Sequence, residues 1–188
     1  MNPMNTKYFV ITVVGSHAGE DLATIFSRKQ KELIDRGKTY WLLKSFKAKT
    51  QQIQEFCRKA VQANGDIYVL FIDSSSKHGA RPTVHNDPVQ HISSNGIVWE
   101  QLPRGVNITG KIDSQSSVIV LDKLELMNPD TDIDLWDFSE FETDKPVKLQ
   151  LGASTICCVR KVSKGMKSRY RKTIAWGRLV YPYSVLVK

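Results

Sequence analysis

The side chains best suited to chemistry in this sequence are aromatic rings set beside hydrogen-bonding groups and cations. Thr39-Tyr40-Trp41-Leu42-Leu43-Lys44-Ser45 reads as a strand that carries a Trp and leaves through a Lys-Ser pair. A ring that can stack, followed at once by donors and acceptors, is what a nucleobase pocket requires. Gly65-Asp66-Ile67-Tyr68-Val69-Leu70-Phe71-Ile72-Asp73-Ser74 reads as a second buried strand with a polar exit. Trp99 ends a short apolar island, Ile97-Val98-Trp99, beside a long polar stretch where a ring can sit on a pocket rim. The competing reading of each Trp is a core ring, and Trp41 and Trp176 lie in strand-like sequence where that is commoner.

Charge supplies a second set of candidates. The chain has 188 residues, a formal net charge of +8 and a sequence pI near 9.4. Asp122 to Asp144 is acidic, and no Asp or Glu follows Asp144. The segment 160–178 holds Arg160, Lys161, Lys164, Lys167, Arg169, Arg171, Lys172 and Arg178, with Tyr170 and Trp176 among them. Such a run is an electrostatic footprint for a phosphate backbone. The alternatives are a solvated basic loop, or one that neutralises the acidic segment within the molecule.

Other chemistries find little support. His17, His78, His85 and His91 share no zinc-ligand spacing, and Cys157-Cys158 lacks the separation of a CxxC pair, so no metal is expected. There is no GxSxG, no P-loop and no GxGxxG, and no cofactor or catalytic residue is assigned. Three cysteines, two of them adjacent, do not suggest a disulfide framework, which points to a reducing cytoplasm. No apolar run approaches a membrane span, and the N-terminus lacks a signal-peptide pattern.

The elements that must position these residues follow from periodicity. Tyr8 to Val14 reads as a buried strand. A helix follows, with Ser16 as candidate cap, Glu20 and Asp21 in its first turn, and Leu22, Ile25, Phe26, Leu33 and Ile34 on its apolar face. Arg36-Gly37 ends it. A second helix starts near Thr50, with Ile53, Phe56, Cys57, Ala60 and Val61 as its stripe. Ser74 to Ser94 reads as a long loop. The second half is expected to form strands at Val106 to Ile112, Ser117 to Met127, Val147 to Leu151, Thr155 to Val162 and Thr173 to Val187. Pro129 to Thr143 is an acidic excursion anchored by Leu135, Trp136, Phe138 and Phe141. Helices early and strands late predict a single α+β domain over residues 1–188, built as a compact mixed β-barrel or strongly curved sheet with two main N-terminal helices.

Tyr40-Trp41-Leu42-Leu43-Lys44-Ser45, a helix, and then Gly65-Asp66-Ile67-Tyr68-Val69-Leu70-Phe71 resemble the opening of the PUA-like superfamily, in its EVE and YTH branches. That resemblance implies a compact α/β barrel that holds a modified base in an aromatic pocket. It would place Trp41, Lys44 and Ser45 near the pocket and Ser74 at the mouth of the facing strand. Trp99 is similar in kind to the cage Trp of YTH domains. The match covers about Lys38 to Ser76. A strand and helix precede it here, and Trp99 lies after the Val-Leu-Phe strand instead of before it. The Pro usual after Lys-Ser is replaced by Lys47 or its neighbours. Tyr8 to Asp21 is also similar to the first strand and loop of TIR domains, which cleave NAD or act as signalling scaffolds, although no later acidic motif is recognisable. The expectation carried forward is a nucleic-acid-binding domain for DNA or RNA. A base would stack on Trp41 or Trp99, and Arg160, Lys161, Lys164, Lys167, Arg169, Arg171 and Lys172 would hold phosphates. The enzyme alternative is a TIR-like domain.

Overall fold

A computed structural model describes residues 6–14, 21–43, 50–63, 65–73, 88–108, 116–128, 132–147, 155–160 and 170–188. Among the described residues, two α-helices and ten strands follow in the order β1 (Tyr8–Val14), α1 (Leu22–Arg36), β2 (Thr39–Leu43), α2 (Thr50–Gln62), β3 (Ile67–Asp73), β4 (His91–Ser93), β5 (Glu100–Gln101), β6 (Ser117–Leu126), β7 (Asp132–Asp134), β8 (Phe138–Glu140), β9 (Thr155–Arg160) and β10 (Tyr170–Val187). The fold is α+β, with both helices in the first half.

The main sheet runs β2-β6-β10-β3-β1-β9-β8, with β4, β5 and β7 attached through or beside β10. β1 and β3 are parallel, and the other pairs are antiparallel. β2 forms one edge and β8 the other, so the described strands make an open mixed sheet and do not close into a barrel. A doubly wound parallel sheet would set β2 beside β1; here β2 lies at the far edge against β6.

Strand composition explains the layering. β1, β3 and the first half of β6 are almost continuously apolar, the pattern of strands covered on both faces. Side chains alternate faces with a period of two. Val10, Val69, Phe71, Trp41, Ile119 and Leu121 face a cluster completed by Phe26 of α1 and by Ile53, Phe56 and Ala60 of α2. Phe9, Ile11, Tyr68, Leu70 and Ile72 face a second cluster, covered by Ile133, Leu135 and Phe138 of the acidic excursion and by Val147 after it. Tyr40, Val118, Val120, Val185 and Val187 meet Val89, Ile92 and Ile108. The excursion is thus a cover for the sheet, and its apolar anchors Leu135 and Phe138 are buried. The side chain of Trp136 lies outside the described residues.

The helix ends show their causes. Asp21 is the N-cap of α1, outside the first turn, and its carboxylate accepts from the Thr24 N–H at 2.7 Å. Ser16, expected as the cap, lies outside the described residues. Gly37 closes the helix at φ +70° and donates its N–H to the Leu33 carbonyl. Ile34, expected on the core face, is 84 % exposed, while Lys29 and Glu32 are buried. The two charged residues escape the cost of burial by pairing with each other, at 2.9 Å. Val61 of α2 is likewise more exposed than its stripe predicts. Val106 to Ile108 is not a strand; it packs irregularly, with Ile108 buried. His91–Ser93, expected within a loop, is a strand because β10 offers it a ladder.

Candidate nucleic-acid interface

Trp41 sits on β2 with 8 % of its surface exposed. Its ring lies 5.0 Å from Phe26 and 4.5 Å from Phe71, centroid to centroid. Both partners are themselves fully buried, so this indole is a core ring. Lys44, Ser45 and Ser74 lie outside the described residues.

Trp99 has a different setting. It is partly exposed, and the Lys188 ammonium stands 4.1 Å from its ring centroid. At that distance the cation is attracted to the negative face of the ring. The ring follows a turn held by its own side chains. The Ser93 hydroxyl donates to the Val98 carbonyl and accepts from the Gly96 N–H at 2.9 Å. The Asn95 side-chain oxygen accepts from the N–H groups of Ile97 and Val98 at 2.8 and 2.9 Å. Gly96 adopts φ +75°, which glycine takes without steric cost. The Gln54 amide of α2 ties the turn down by donating to the carbonyls of Ser94 and Ser184. Ser93-Ser94-Asn95-Gly96 is a turn signal in sequence. The contribution of Lys188, more than eighty residues away, had no such signal.

The basic residues divide. The Arg160 guanidinium lies 3.8 Å from Asp137. Arg178 grips Asp122 through two parallel bonds of 2.9 and 2.8 Å, an arrangement that raises its pKa. The start of β10 runs antiparallel to acidic β7, which sets Lys172 opposite Asp132, and Lys172 remains exposed. Part of the basic segment therefore does meet acidic residues within the molecule. Lys161, Lys164, Lys167 and Arg169 lie outside the described residues, as does the side chain of Arg171.

A separate cleft of about 650 Å³ lies between α2 and the β8–β9 edge. Glu55, Lys59, Glu140, Phe141, Glu142 and Cys157 are among its lining residues. Glu55 pairs with Lys59 at 2.9 Å, and that ammonium also lies over the Phe141 ring. Three carboxylates against one ammonium give this cleft the wrong sign for phosphate. Burial pushes the Cys157 thiol up to about 12 and raises those of Cys57 and Cys158 as well, so none is an activated nucleophile. Among the described residues, no group of three His, Cys, Asp or Glu side chains is placed to hold a metal ion. No described helix is long and apolar enough to cross a membrane.

No protein-family model matches this chain, and no curated protein or solved structure is significantly similar to it.

Proposed function

We propose that this chain is a nucleic-acid-binding domain, PUA-like in kind, that takes an extruded and modified base onto an aromatic ring. The observation that carries the reading is the partly exposed Trp99 ring with the Lys188 ammonium over it, on a turn fixed by Ser93 and Asn95. The ammonium covers one face of the ring; in this reading it moves to the phosphate as the base takes that face. The net charge of +8 supports association with a polyanion. Trp99 receives the base and Trp41 supports the core. Ser45 and nearby backbone groups read the base edge, Lys44 and Ser74 belong to the pocket and its mouth, and the cations of residues 160–172 hold phosphates. Three free thiols suit a cytoplasmic setting.

The test is fluorescence anisotropy with labelled DNA and RNA oligonucleotides, each with and without a methylated base. Binding is expected to weaken with salt, and the methylated strand is expected to bind more tightly than its twin. Trp99→Ala is expected to cost about 1–3 kcal/mol of binding. Equal binding by wild type and Trp99→Ala would remove Trp99 from the site. If no oligonucleotide binds, NAD cleavage is the next activity to assay.

A further inference from the structure

We propose that the Ser93–Val98 turn is a wedge that opens a base step in paired nucleic acid. This inference rests on the nucleic-acid reading above and narrows its ligand to duplex or structured strands. Ile97 is 82 % exposed and Val98 61 % exposed, at the tip of the turn and directly before Trp99. Single exposed aliphatic side chains are ordinary on a protein surface. A pair held outward by a fixed turn, directly beside an aromatic ring, is a specific arrangement. Here the backbone is fixed: Ser93 and Asn95 bind the N–H groups of Gly96, Ile97 and Val98, and Gln54 anchors the base of the turn. The turn holds its two apolar side chains outward.

Size decides what they meet. A stable protein interface takes about 800 Å² from each partner. Two side chains flanked by exposed Ser94, Asn95, Gly96 and Glu100 offer far less. One or two aliphatic side chains are, by contrast, what minor-groove and architectural proteins push between base pairs to unstack them. The wedge and the acceptor are adjacent in sequence. Ile97 and Val98 enter the opened step, and the displaced base finds the Trp99 ring next to it. Lys188 adds positive charge beside the displaced strand. A strand already single would give Ile97 and Val98 no step to open.

The experiment uses labelled DNA and RNA duplexes that carry 2-aminopurine, whose emission rises on unstacking. Anisotropy reads binding, and emission reads opening, in one titration. Wild type is expected to raise emission several-fold as the duplex saturates. The double variant Ile97→Ser, Val98→Ser, checked for an unchanged melting temperature, is expected to leave emission near that of free duplex at saturation. A saturated duplex with no rise in wild type overturns the wedge, as does an equal rise in the variant. Binding to single strands alone also overturns it while leaving the nucleic-acid reading in place. Absence of any anisotropy change, with duplex or single strand, overturns both.

Discussion

The Lys29 ammonium and the Glu32 carboxylate, one turn apart on α1, meet at 2.9 Å while each residue is only 4 % exposed. The pair does more than neutralise itself. Glu32 also accepts from the Thr39 hydroxyl and from the Asn107 N–H at 3.0 Å, and Lys29 donates to the Asn107 carbonyl at 2.6 Å. One ion pair thus joins the helix, the edge strand β2 and the loop that covers that edge.

Glu32→Ala leaves the Lys29 ammonium, the Thr39 hydroxyl and the Asn107 N–H short of an acceptor. The expected loss is about 3–5 kcal/mol in urea denaturation. Replacing both charges together, Lys29→Met with Glu32→Leu, is expected to cost less than Glu32→Ala, because no stranded charge remains, although the Thr39 hydroxyl and the Asn107 N–H still lose their acceptor. A single-variant loss below about 1 kcal/mol would show that the network does not hold the loop.

The two Trp residues should separate by stability. Trp41→Ala empties a site between Phe26 and Phe71 and is expected to cost about 3–5 kcal/mol. Trp99→Ala is expected to shift stability by only about 0.5 kcal/mol, as surface changes do. Melting both variants checks this, and a Trp41→Ala protein that melts at the wild-type temperature would contradict the packing described.

Alkaline pH should destabilise the protein through its thiols. Burial raises the pKa of Cys57, Cys157 and Cys158 above the ordinary value of 9.0. The unfolded chain therefore loses these protons first as pH rises. Their contribution to stability is whole below pH 9.0 and falls progressively toward the value of about 12 reached by Cys157. Urea denaturation of wild type at pH 8 and pH 10 is expected to show this loss, with a smaller difference for Cys157→Ser. Thiol labelling at pH 8 should be far slower in the native protein than in urea.

The basic segment is tested by salt. Lys167, Arg169, Arg171 and Lys172 changed together to Ala should weaken binding to all sequences alike. The slope of log K against log salt should become shallower by roughly 0.9 for each phosphate that the variant no longer neutralises. A variant with the slope and affinity of wild type would exclude these four residues.

Much of the architecture is legible where periodicity is strong. Tyr8–Val14 and Ile67–Asp73 are strands because β-branched and aromatic residues run without interruption between turn signals, and α2 follows its stripe from Ile53 to Ala60. Three features escape such reading. Lys29 and Glu32 look like solvated helix charges, because their mutual pairing and the approach of Asn107 are tertiary. β4 is too short to announce itself and exists because β10 offers a ladder at Leu186 and Val187. At the candidate interface, Trp99 is marked by the island after Asn95-Gly96, but the cation over its ring comes from residue 188. A contact between two such distant positions leaves no trace in local pattern.

β10 stands between β3 and β6 and also carries β4 and β7 along its length. On the ribosome it is the last of these strands to be made. Until it emerges, β6 with β2 and β3 with β1 are two unjoined halves, each with an apolar edge open to other chains. The join needs contacts between residues far apart in sequence, which makes it a slow step. The strand edges of β3 and β6 that β10 covers in the finished fold are therefore the edges by which an incompletely folded chain would pair wrongly.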